Sequence, residues 1–342
     1  MTRAYHRRAC RAHRAARAPP LRARLPALGV LLALGVPPAA LGGPAFGAPA
    51  AATAQGGGED AALEAERSGI REWRLQRVDA LTSDSGWLTL AGLFWLKQGA
   101  NTFGRAASNA LVLDNPALAD TAGTFQVSGQ QVRFDAARAS GVTSAGRAVG
   151  SLELLADVTG KPTVLESGTL RFFVIERAGN LGVRVRDLNN PHRLGFKGLS
   201  YFPVSTDWVF NARFEPYEPV RHIRIVNILG MEEDMVSPGA VVFARNGQLW
   251  RLDTVLEDPG DKELFIMFAD ATSGHETYGA GRFLVIPLPV AGHARLDFNK
   301  AYNPPCALND FATCPLPPPQ NRLKLKVEAG EKVYAGAPPH HS

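Results

Sequence analysis

The densest run of chemically capable side chains is ADATSGHETYGAGRF, residues 269–283. Asp270, His275 and Tyr278 are residue types that give or take protons, so this run reads as a candidate catalytic group. Arg282 carries a planar, permanently charged fork that matches a carboxylate. Three glycines between them let the backbone approach a ligand closely. A structural alternative stands beside this reading: Arg282 pairs with Asp270 or Asp297 to pin two strands, and His275 sits at a loop tip. A second group follows in DFNKAYNPPC, residues 297–306, where Asp297, Asn299, Tyr302 and Asn303 join Arg282 as candidate ligand-binding residues. A rigid neighbour holds such groups in place. Alternatively, Asn299 and Asn303 satisfy backbone groups that a proline-rich loop cannot pair in a ladder. In NRLKLKVEAGEK, residues 321–332, Lys324 and Lys326 alternate with Leu325 and Val327 as in a half-exposed strand. Glu328 and Glu331 frame Gly330 at its end, and paired carboxylates are one route to acid–base chemistry.

Several reaction classes lack their signatures. The chain has no Gly-x-Ser-x-Gly elbow, no phosphate-binding P-loop and no His-Glu-x-x-His. No cofactor is implied. No metal site is expected either, since Cys306-x₇-Cys314 alone is poor zinc spacing.

Charge argues against a nucleic-acid partner. The formal charge is +5, but residues 1–54 hold eight arginines and no lysine, aspartate or glutamate. Removing those eight positive charges leaves −3 for the rest, so the basicity belongs to the leader. That leader has an Arg-rich start, an apolar run LPALGVLLALGV at residues 25–36, and small residues ending at Ala50 or Ala54. The order is that of a secretory signal peptide, and twelve apolar residues are too few for a membrane span. Export is therefore expected, to the periplasm or the medium. Cys10 would leave with the leader, and Cys306 and Cys314 would remain as a pair in an oxidising compartment, where a disulfide is the expected state. Prolines on both flanks stiffen that loop.

The elements that must hold these groups are mostly strands. A flexible lead-in covers 51–60 and the one plausible helix follows over 60–80, where Leu63, Ile70, Trp73, Leu75 and Val78 recur among charges, so that 55–80 is read as a linker and short helix. Beyond it lie short β-branched and aromatic runs bounded by Gly, Asn, Asp and Pro. LRFFVIERAGNLGVRVRD, residues 170–187, is the best hairpin, and the overall class is all-β. FEPYEPV, residues 214–220, suggests a boundary between a sandwich at 81–215 and a smaller β-rich part at 216–334. Residues 335–342 read as a disordered tail.

Two resemblances add to this. FADATSGHETYGAGRFLVIPLP together with LDFNKAYNPPCALNDFATCPLPPPQNRLKLKVEAGEK resembles a bacterial family known only as domain of unknown function 1684, over about Trp73 to Lys332. The resemblance implies an often exported, two-part protein without an established activity. Many relatives are lipoproteins, whereas this leader lacks the required cysteine. Residues 101–134 resemble the start of a forkhead-associated (FHA) β-sandwich. Gly104 and Arg105 match its first phosphothreonine-binding loop, but Ala119–Gly123 lacks the Ser and His of the second, so the fold is implied and the phosphopeptide chemistry is not. The combined expectation is an exported all-β protein that binds a small polar or anionic ligand near Arg282. A cofactor-independent hydrolase using the same cluster, and a structural or interaction module of the cell envelope, are the alternatives. No protein partner is specified.

Overall fold

The computed structural model describes residues 56–258 and 260–336. The leader with its signal-peptide reading, Cys10, and positions 337–342 of the expected tail lie outside them. The first helix, α1, spans Gly56–Thr82, longer than the expected 60–80 and already helical across 56–60, where a flexible lead-in was expected. Helix growth is cooperative once a turn is anchored. The anchored face carries Ile70, Arg77 and Leu81, all buried, while Leu75 is 66% exposed. Positions seven and eleven residues after Ile70 share one side of a helix. The chain then folds back tightly at Gly86, where a Cβ would lie 2.1 Å from the Leu81 carbonyl oxygen, so only glycine fits.

The strands of the N-terminal sandwich are, in chain order, β1 (Leu90–Trp95), β2 (Gly99–Gly104), β3 (Leu111–Val112), β4 (Gly123–Ser128), β5 (Gln131–Ala136), β6 (Thr143–Ser144), β7 (Arg147–Ala148), β8 (Ser151–Leu154), β9 (Leu165–Ser167), β10 (Leu170–Arg177) and β11 (Asn180–Asp187). One sheet has the order β1-β11-β10-β9-β6-β7 and the other β3-β2-β4-β5-β8. Between them lies a core of Phe103, Phe125, Phe134, Phe172 and the inward valines. Its rings stack at angles, with Phe125 and Phe134 centroids 4.8 Å apart. Such tilted pairs are the favoured aromatic geometry. The expected hairpin forms β10 and β11, with Arg177 opposite Asn180. Ala178 and Gly179 take φ of 46° and 78°, as a two-residue hairpin turn requires.

Six strands build the C-terminal half: β12 (Val209–Val226), β13 (Glu232–Arg245), β14 (Gln248–Thr254), β15 (Glu263–Phe268), β16 (Arg282–Pro287) and β17 (His293–Asp297). The boundary expected at 215/216 falls inside β12, which runs on through both prolines. A register shift between Pro216 and Arg221 and a cis Glu218–Pro219 bond accommodate them. Proline tolerates such irregular positions because it has no ladder donor to lose. A four-stranded sheet β14-β13-β12-β17 faces the β15-β16 ribbon. The core between them includes Trp208, Phe243, Phe268 and Phe298, with Leu323, Leu325 and Val327 of the extended C-terminal segment. A separate apolar cluster joins Leu81 of α1, Trp87, Leu90, Tyr278, Tyr302, Cys306 and Cys314. Helix, sandwich and proline-rich loop therefore meet in one packed region. Among the described residues no helix is long and apolar enough to cross a membrane.

Candidate functional site

Arg282 begins β16 opposite Phe268 of β15. Its guanidinium and the Asp270 carboxylate are 2.6 Å apart, with both side chains fully buried. The same guanidinium donates to the backbone carbonyls of Val327 at 2.9 Å, Glu331 at 3.3 Å, and Ala329. One fork thus ties the ribbon to the C-terminal segment. Asp270 also accepts the Thr272 N–H at 2.6 Å and the Thr272 hydroxyl. Burial pulls the Arg282 pKa down while Asp270 opposes that pull.

The other two proton-transfer candidates face elsewhere. His275 is exposed on the turn between Thr272 and Thr277. Tyr278 points inward, with its hydroxyl 3.5 Å from the Cys306 carbonyl. Burial first, then the neighbouring Cys306, push its pKa above the ordinary tyrosine value. Asp270, His275 and Tyr278 therefore occupy three different surroundings.

Asp297 and Asn299 close on each other and on the chain before β12. Asn299 exchanges two hydrogen bonds with the Ser205 backbone, at 3.0 and 2.9 Å, and donates to Asp297 Oδ1 at 3.0 Å. Asp297 Oδ2 lies 3.7 Å from Arg295 and 3.9 Å from Lys300 without a hydrogen bond, and burial raises the Asp297 pKa.

Tyr302 and Asn303 belong to a centre with Glu331, expected only as half of a carboxylate pair with Glu328, and with Arg74, Arg77 and Tyr201, which the sequence did not single out. Arg77 of α1 donates through Nε to Glu331 Oε1 at 2.8 Å, a pair with 3% and 0% side-chain exposure. Its Nη2 donates to the Asn303 carbonyl at 2.8 Å, and its guanidinium lies 4.7 Å over the Tyr302 ring. Glu331 Oε2 accepts the Asn303 N–H at 2.8 Å. Beside this pair, Arg74 stacks 4.0 Å over Tyr201, and Tyr201 bridges the Glu331 backbone. Burial raises the Tyr201 pKa above its usual value. Arg74 Nε, the Tyr201 hydroxyl and Asn303 Oδ1 are buried and make no hydrogen bond. Glu328 is exposed and Glu331 buried, so these two carboxylates are not brought together. The signals for the missed residues were present. From Asn321 to Glu331 every odd position is buried, which aims Glu331 inward. Arg77 sits on the Ile70–Leu81 face of α1, disguised there by its charge.

Cys306 and Cys314 are both buried, unbonded and 3.0 Å apart. The Cys306 N–H donates to the Cys314 sulfur at 3.1 Å, and burial raises the Cys314 pKa well above normal. In the sandwich, Arg105 forks onto Asp120 at 2.7 and 3.1 Å, so the two loops compared with a phosphopeptide site grip each other. Among the described residues no three His, Cys, Asp or Glu side chains gather as a metal would require.

Comparison with known proteins bears on the same region. Residues 194–332 match the family described as "Protein of unknown function (DUF1684)". The chain belongs to that family. An uncharacterized protein of Haloarcula marismortui, solved by solution NMR, is 30% identical over 41% of this chain and 78% of its own, with a TM-score of 0.36. Two FHA domains are also similar, at 16% and 15% identity and TM-scores of 0.20 each. They cover 28% and 27% of this chain and 92% and 96% of their own. One comes from work on phosphothreonine-dependent FHA interactions, and the other is the FhaA FHA domain in complex with the intracellular domain of Rv3910. No curated protein matches the chain. Tyr201, Tyr302, Asn303 and Glu331 lie within the DUF1684 span, whereas Arg74 and Arg77 come from the helix before it.

Proposed function

We propose that this DUF1684 protein is exported and binds a small anionic ligand, a carboxylate in the first instance, beside the Arg77–Glu331 pair. The observation that carries the reading is a pair of buried donors without partners, Arg74 Nε and the Tyr201 hydroxyl. Each such orphan costs about 1–3 kcal/mol, so two beside one ion pair call for an acceptor. Charge supplies the sign. Among the described residues, Arg74, Arg77 and Arg282 gather here with the carboxylates of Asp270 and Glu331, three positive charges to two negative. A carboxylate would accept from Arg74 and Tyr201.

Isothermal titration against a panel of small mono- and dicarboxylates tests this. Arg74→Ala and Tyr201→Phe are expected to weaken the best binder by about tenfold or more each. If no panel member binds the wild type, or both variants bind as well as it does, the reading fails. The hydrolase alternative has less support, because His275, Tyr278 and Asp270 do not converge. The envelope interaction module gains from the engagement of both Arg282 Nη atoms and of Asn299 in internal bonds.

Export carries a second expectation, that Cys306 and Cys314 are oxidised to a disulfide in the mature protein. Intact mass under non-reducing conditions should fall by two hydrogens relative to the reduced chain. Removing the bridge by Cys306→Ser with Cys314→Ser should cost about 2–3 kcal/mol in urea unfolding, on the chain-entropy account of a short loop. Two free thiols in protein recovered from outside the cytoplasm would overturn it.

A further inference from the structure

The tip of the β12–β13 hairpin leans on two parts of the molecule. On one side Ile228 N–H donates to the Cys314 carbonyl at 2.9 Å and Leu316 N–H to the Val226 carbonyl at 2.8 Å. On the other, Ala178 in the β10–β11 turn shares a water-sized hollow with Ile225, Asn227, Met231, Glu232 and Glu233. This is a seam between sandwich and C-terminal half. Glu233, opposite Ile225 in the ladder, has a buried Oε2 with no hydrogen-bond partner. The cation across the seam is Arg177, and it is engaged. It donates to both oxygens of Asp157 at 3.0 and 2.8 Å, with both side chains nearly inaccessible. On the hairpin itself, exposed Arg224 lies 3.4 Å from Glu232 and 3.9 Å from Asp234, so its charge is shared with carboxylates other than Glu233. A carboxylate here would be partly desolvated with no counter-charge of its own.

We propose that Glu233 makes this seam responsive to pH: neutral, it seats the hairpin tip against the β10–β11 turn, and once ionised it loosens that contact. Burial pushes its pKa up to about 7, with Arg177 opposing. The sign follows from linkage. The folded-state value lies above the ordinary carboxyl value, so the stabilisation is complete below that ordinary value and is lost as pH rises through about 7. Acidification tightens the seam.

Hydrogen exchange on the full chain between pH 5.5 and 8.5, corrected for intrinsic exchange, reads this directly. Protection of residues 224–234 and 176–181 should fall by up to about tenfold per pH unit as pH rises from the ordinary carboxyl value toward about 7 in the wild type, and level off above it. Glu233→Gln should hold the low-pH protection throughout. Equal protection of the wild type at both ends, or the same slope in the Gln variant, would overturn the proposal. Carboxyl ¹³C titration of Glu233 in the wild type needs no variant: a midpoint between about pH 6 and 8 is expected, and one below about pH 5 refutes it.

Discussion

Arg282→Ala is expected to destabilise the protein by about 3–5 kcal/mol, the range for breaking a buried ion pair from one side. The loss has two parts. Asp270 is left charged in a site with no exposure, and the carbonyls of Val327, Ala329 and Glu331 lose their donor. Urea unfolding measures the total. Asp270→Ala in the same chain should recover part of it, because the stranded charge is gone while the orphaned carbonyls remain. Two buried ions are not intrinsically better than apolar groups of equal volume. Arg282→Met with Asp270→Leu is therefore expected to fold, with carboxylate binding at Arg74 retained. If Arg282→Ala instead leaves stability within about 0.5 kcal/mol, as a surface change would, the engagement described here is not what holds the ribbon to the C-terminal segment.

The second large effect is expected at Arg77. Arg77→Ala strands Glu331 and removes the donor to Asn303. A cost of about 3–5 kcal/mol is again expected, but distributed differently. Arg77 comes from α1, which crosses to the DUF1684 half through this pair together with Leu81 and Trp73. Local opening can precede global unfolding where one element hangs on few contacts. Amide exchange over residues 63–82 should rise sharply in Arg77→Ala while the β10–β11 ladder stays protected. Uniform loss of protection over both would show that helix and sheets open as one unit. Glu331→Gln removes the charge but keeps one amide oxygen, enough to accept from Arg77 Nε or from the Asn303 N–H and not from both, so its cost should be smaller than that of Arg77→Ala without vanishing.

Most of the secondary structure was legible in local pattern. The 170–187 hairpin follows from alternating valines and a turn that glycine completes. The odd-position burial of 321–331 follows from alternating leucines and lysines, although the strand expected there does not form: the segment makes only isolated bridges at Arg322 and Glu331. These signals depend only on neighbours along the chain, which is why they survive into the fold. The extent of α1 was less legible, because its buried face includes an arginine and its exposed side includes Leu75.

What the chain alone determined was the all-β class, the hairpin and the pairing in sequence of two cysteines within a proline-rich loop. Tertiary structure decided the partners of every charged candidate. Arg184 shows the difference: alternation with Val183 and Val185 reads as an exposed position, yet it is buried, because the proline-rich loop covers that face and brings Thr313 to 3.4 Å from its guanidinium. Arg77 and Glu331 are 254 residues apart and meet at 2.8 Å. A guanidinium takes its role from whichever acceptors surround it, and in this protein those acceptors come from segments that only folding brings near.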